Sequence, residues 1–200
     1  MKILLLLLII FSATVQPLFA TSILRIDTVQ LANDAELVFE GEVLATRSEQ
    51  AGSGYIYTYV DFLVTDMVLG DAEAGGIITL RFTGGVVGDL TLDVGSDIPS
   101  LGERGIYFVE AQDAGLTNPL LGWSQGQFEI QDDGSLMAGN NQRVTGFDIV
   151  PTNTPGLSRG VAKGVITTLP GHSSNNSTAN KTISPLTVDH FKRIIKSLKQ

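Results

Sequence analysis

Cysteine is absent from this 200-residue chain, tryptophan occurs once, and the only histidines are His172 and His190. Each absence excludes a chemistry. Without cysteine there is no disulfide framework, no thiol nucleophile and no thiolate zinc site. Without a histidine before position 172, the body of the chain has no imidazole for a zinc site or a nucleophile relay. No cofactor and no metal is therefore expected. Basic residues are scarce as well: residues 21–180 hold seven against twenty acidic ones, a net of −13, whereas residues 181–200 carry +4. An acidic body repels phosphate backbones, so nucleic acid is not an expected partner. Beyond the N-terminus no segment is apolar over the ~18 residues of a membrane span, which argues against a stable membrane anchor.

What is present begins with an export signal. Lys2 precedes an unbroken apolar run, Ile3 to Phe11, and Pro17-Leu18-Phe19-Ala20 ends on a small residue. This is the pattern of a cleaved signal peptide. Cleavage after Ala20 and cleavage after Ser22 are both open, as is retention of the segment as an anchor. No cysteine follows to carry a lipid, so the reading is an exported protein, periplasmic or extracellular. With no disulfides the fold must stand on its core, and about 180 remaining residues suffice for one domain.

The period of the apolar residues then changes along the chain. Asp27-Thr28 with Val29, Ala32 and Ala35 predicts a short helix near 28–34. From Leu37 the alternation is that of a strand, with Leu37, Phe39 and Val43 on one face and Gly41 mid-strand, where a glycine marks a bulge or bend. The longest strand runs from about Tyr55 to Val68, with Ile56, Thr58, Val60, Phe62 and Val64 on one face and Tyr55, Tyr57, Tyr59, Asp61 and Leu63 on the other. Shorter strands follow at 77–83, 90–94, 105–110, 127–131 and near 135–138, separated by Gly-rich turns. Many short strands without helical crossovers predict a mainly β protein, a small antiparallel OB-like barrel with short N-terminal and C-terminal helices. The expected organisation is a signal peptide over 1–20, a β-barrel domain over 21–150, loop and polar linker over 151–184, and an amphipathic helix over 185–200. In that helix Thr187 is the cap, and Val188, Phe191, Ile194, Ile195 and Leu198 form a stripe expected to dock on the barrel.

Four constellations carry possible chemistry. Gly122-Trp123-Ser124-Gln125-Gly126 is a literal G-x-S-x-G, and Ser124, Asp148 and either His172 or His190 have the chain order of a hydrolase triad. A nucleophile elbow needs a helix after the serine, however, and Gln127-Phe128-Glu129-Ile130 reads as a strand, so a turn with Trp123 packed at a barrel end is preferred. Gly84-Gly85-Val86-Val87-Gly88 leads into a strand rather than a helix, which favours a hairpin over a phosphate cradle. Asp132-Asp133-Gly134 lacks the alternating oxygen ligands of a calcium loop and reads as a hairpin turn. Tyr55, Tyr57 and Tyr59 make a stripe of large rings on one strand face, either a contact surface for a protein partner or a layer packed beneath one of the helices.

The segments Ala35-Glu36-Leu37-Val38-Phe39-Glu40-Gly41-Glu42-Val43, Val68-Leu69-Gly70, Gly84-Gly85 to Gly88 and Gly102-Glu103-Arg104-Gly105-Ile106-Tyr107-Phe108 follow one another as in netrin-like domains. The chain thus resembles the OB-type barrels of tissue inhibitors of metalloproteinases, and also a group of exported bacterial proteins with a later Gly-x-x-Gln-Gly-x-Phe, matched by Gly122, Gln125, Gly126 and Phe128. The resemblance implies a barrel and an inhibitor-like, protease-interacting partner. Those inhibitors are stapled by disulfides and chelate the protease zinc through an N-terminal cysteine, which this chain lacks. The expected function is an exported non-enzymatic binding module, with Tyr55, Tyr57, Tyr59 and Trp123 as its contact residues. The alternative is a serine hydrolase built on Ser124.

Overall fold

The computed structural model describes residues 26–112, 115–139, 141–152, 161–170 and 186–199, with 147–152 and 161–170 described as backbone only. The protein is mainly β. Helix α1 (Thr28–Asp34) is capped by Asp27, whose carboxylate accepts from Gln30 N–H at 3.0 Å. Ten strands follow: β1 (Leu37–Gln50), β2 (Ile56–Leu69), β3 (Ile77–Thr83), β4 (Gly85–Val87), β5 (Leu90–Leu92), β6 (Arg104–Val109), β7 (Gln127–Ile130), β8 (Leu136–Ala138), β9 (Gln142–Thr152) and β10 (Val161–Pro170). Helix α2 (Val188–Leu198) closes the chain. Strands β4 and β5 pair as a separate hairpin, as expected of the 84–88 glycines.

The other eight strands form one antiparallel sheet in the order β10-β9-β8-β7-β6-β1-β2-β3. The expected barrel closure is not found: among the described residues no pairing joins β3 to β10, and the sheet is open. Strand also occupies part of the span expected as loop and linker, because β9 runs to Thr152 and β10 pairs along it from Val161↔Thr152 to Pro170↔Gln142. The run Val165-Ile166-Thr167-Thr168 has the β-branched composition of a strand, and the ladder with β9 outweighs the glycines and prolines around it. Residues 1–25, where the signal peptide is expected, and residues 171–185 lie outside the described residues.

Both faces of the sheet's centre are buried, which is why Leu37-Val38-Phe39 of β1 and Ile106-Tyr107-Phe108-Val109 of β6 are continuous apolar runs. Phe39, Val60, Phe62, Val64, Leu80, Phe82 and Tyr107 pack on one face together with Ile98 and Leu120 from the connections. Val38, Ile106, Phe108, Phe128 and Leu136 pack on the other, beneath Leu31 and Ala32 of α1 and Phe191, Ile195 and Leu198 of α2. Gly41 sits at an irregularity in the β1–β2 register, as expected of a bulge. A Cβ there would lie 2.9 Å from both Leu63 O and the Phe39 ring. Bulges reverse the side-chain alternation, so Val64 belongs to the first face whereas Val68 reaches the helix-covered one.

The predicted α2 stripe docks as expected, with the Phe191 ring 4.9 Å from that of Phe128. Lys192 is held as well. Off the apolar stripe, it is nonetheless 12% exposed, donating to Glu40 Oε2 at 2.6 Å and lying 2.9 Å from Asp66 Oδ2. Lys199 donates to the Ala35 carbonyl at the end of α1 at 3.0 Å, tying the two helices together.

Candidate functional site: a tyrosine–arginine face on the long hairpin

The alternation of β2 buries Ile56, Thr58, Val60 and Phe62 and turns Tyr57, Tyr59 and Asp61 to the opposite face. Register then builds rows across three strands: Arg47↔Tyr59↔Arg81, Glu49↔Tyr57↔Thr83 and Ala45↔Asp61↔Thr79. Arg47 lies over the Tyr59 ring and Arg81 over the Tyr57 ring, each 4.6 Å from the centroid. Tyr55, 53% exposed, stacks on Tyr57 at 6.5 Å. Cation–π contacts of this kind hold rings and guanidinium groups in fixed planes. A hydrogen bond with Glu49 raises the Tyr59 phenol above its ordinary value, so the phenol stays protonated and able to donate. Arg47 also lies 3.7 Å from Asp61, a loose and largely solvated pair.

The tyrosines are not a layer beneath a helix. They share the helix-bearing face of the sheet, but α2 meets β2 past the bulge, at Asp66, whereas the tyrosines stand toward the other end of the strand. The hairpin extends beyond the helices, and its outer surface offers rings to solvent.

Trp123 is not brought to this face. It is half-buried in a 3-10 turn, Trp123–Gly126, on the far side of β1 from the tyrosines and in front of β7. The corner is clasped from two sides: Gln125 Oε1 accepts from Ile26 N–H at 2.8 Å, and Gly139 of the β8 end lies directly against the Ser124 backbone. Gly122 and Trp123 both have left-handed backbone, φ 63° and 62°. The Gly-x-Ser-x-Gly segment therefore turns into strand β7, with no helix behind Ser124. His190 lies in the first turn of α2, where its N–H bonds the Thr187 cap. His172 lies outside the described residues, and the Asp148 side chain is likewise not described.

One half-buried acid was not singled out in the sequence. Glu103, read as part of a turn, accepts from Gln127 Nε2 at 2.6 Å, from Tyr107 OH at 3.3 Å and from Ser100 N–H at 3.0 Å. Burial pushes its carboxyl up against those three hydrogen bonds. The Tyr107 phenol is driven far above its ordinary value by burial and by the Glu103 charge. Gln127 borders a shallow cleft of about 140 Å³ together with Asp97 and Glu129. Nothing in the turn signature Gly102-Glu103-Arg104-Gly105 announces a half-buried acid. Among the described residues no cluster of three His, Cys, Asp or Glu side chains could hold a metal ion, and no helix is long and apolar enough to cross a membrane.

Together these features define a mainly β protein with a helix-backed open sheet, whose longest hairpin projects an aromatic face set with two arginines and two carboxylates. No family model, curated protein or solved structure matches the chain.

Proposed function

We propose that the chain is an exported, non-enzymatic binding module that captures a protein partner on the Tyr55–Tyr57–Tyr59 face. The observation that carries this reading is the arrangement of Arg47 over Tyr59 and Arg81 over Tyr57, half-exposed rings beside the exposed Tyr55. Rings fixed in advance lose little entropy on binding and offer large apolar area with hydroxyls at its edge, which is what interface hot spots are made of. The acidic body favours a basic partner surface at the rim.

A secreted protease is the first partner to test, because the chain resembles netrin-like inhibitors. Lacking cysteine, it has no thiolate to place on a protease zinc, so inhibition would act by surface contact. The test is recovery of partners from the source secretome on immobilised wild type and on a Tyr55, Tyr57 and Tyr59 triple alanine variant, with any recovered protease assayed for inhibition. The variant should fold and lose the partner; equal recovery refutes the assignment. Labelling by a fluorophosphonate that disappears in Ser124→Ala would overturn the non-enzymatic reading.

A further inference from the structure

We propose that the free edge of β3 pairs with β3 of a second copy, joining two sheets about a two-fold axis at Thr79. This goes beyond the binding reading and does not depend on it. Gly84 N–H bonds Ile56 O and Val64 N–H bonds Gly76 O, so the even-numbered residues of β3 face β2. By alternation the N–H and C=O groups of Ile77, Thr79 and Arg81 point away from the sheet. Among the described residues none of these six groups has a partner, whereas Thr83 N–H, next in the row, is taken by Thr117 O. The open stretch is therefore three outward residues long and centred on Thr79. It carries no proline, lysine or bulge, three of the devices that keep exposed edges from pairing; its one charge is Arg81, and it ends on Ile77, 64% exposed.

Antiparallel pairing about Thr79 sets Ile77 of one copy opposite Arg81 of the other. The aliphatic stem of Arg81 can then cover Ile77 while its guanidinium reaches outward. The strand is also charged in opposite senses at its two ends: exposed Asp71 and Glu73 precede it, and Arg81 lies near its end with no carboxylate partner among the described residues. A two-fold brings the acidic end of each copy toward the arginine of its mate. The net charge of −8 opposes association at long range but is screened beyond about 8 Å at physiological salt. The product is one continuous sheet bearing two tyrosine faces, which gives a captured partner two points of attachment.

The test is sedimentation of the purified protein at physiological salt, with two variants. Thr79→Pro removes an N–H that makes no bond among the described residues, a position where an edge strand tolerates proline, and Ile77→Lys places like charges opposite Arg81. Wild type should sediment as a dimer and both variants as folded monomers. Because the chain has no cysteine, Thr79→Cys reports the axis directly. Facing residues of such a pair are about 5.5 Å apart at Cα, within disulfide reach, so mild oxidation should give covalent dimer. Leu101→Cys, 69% exposed on a loop, should not. A monomeric wild type, a dimer that survives both edge variants, or equal cross-linking through Leu101→Cys would overturn the proposal.

Discussion

Replacing Lys192 by alanine should loosen the docked C-terminal helix and cost the fold about 2–3 kcal/mol. The ammonium meets Glu40 at 2.6 Å, Asp66 at 2.9 Å and Asp189 at 3.4 Å. Glu40 is itself only 13% exposed, and once Lys192 is gone its nearest cation is Arg104, 3.9 Å away and half in water. Removing one member of a fully buried pair costs about 3–5 kcal/mol, and an exposed pair contributes about 0–1 kcal/mol. The site lies between these limits because Asp66 and Asp189 remain 42% and 86% exposed. For a domain of this size the loss corresponds to a melting temperature lower by about 5–10 °C. Burial alone would push the Lys192 ammonium down, but the Glu40 and Asp66 hydrogen bonds reverse this and hold it above its ordinary value. The bond from Lys192 holds the Asp66 carboxyl below its ordinary value against desolvation. The lysine's contribution is thus complete below about pH 10.4 and lost as pH rises through its folded value. That of Asp66 is complete above about pH 3.9 and lost as pH falls. The gap between wild type and Lys192→Ala, measured by calorimetry, should be widest between those limits and shrink on either side. Lys196→Ala, on the exposed face of the same helix, is the control. If the two variants melt alike, α2 is not held by the buried lysine and the account of its docking fails.

Gly139→Ala drives a methyl group into the Ser124 backbone and should lower the urea midpoint by the equivalent of about 1–3 kcal/mol, as overpacking does. An unchanged midpoint would show that the 122–126 corner stands free of β8. Asp133 is held down to about 2, chiefly by the Ser135 hydroxyl, then by its N–H and by Arg143. A depressed carboxyl stabilises above its unfolded value and stops doing so as pH falls through its folded one, so wild type should lose thermal stability between about pH 4 and 2. Asp133→Asn should show a smaller loss over that interval; parallel curves would mean that the turn does not depend on the charge.

The strands that alternate cleanly were legible in the sequence. Ile56, Val60 and Phe62 on one side of β2 and the three tyrosines on the other follow from period two alone, and Asp27 and Thr187 mark both helix starts. The tyrosine stripe was legible as a contact surface but the arginines over it were not, because Arg47 and Arg81 reach the rings only through the register of β1 and β3 against β2. Closure of the sheet could not be read, since bulges at Glu40/Gly41 and Val43/Ala45 bend a strand equally well in a barrel or in an open sheet. Strand β10 was hidden by Gly164 and Pro170, whose cost is offset by a ladder that local pattern does not contain. Lys192, off the apolar stripe, and Glu103, in a Gly-flanked turn, carry no local sign of their partners for the same reason: what covers them comes from distant elements.

The central claim, that the outer face of the β1–β2–β3 hairpin is where a partner is held, is tested most directly by backbone hydrogen exchange with and without the partner recovered from the secretome. Protection should appear at residues 45–59 and 79–83, with little change at 123–126. Protection confined to the 122–139 region, or to α2, with the hairpin exchanging at its free rate, would contradict the claim.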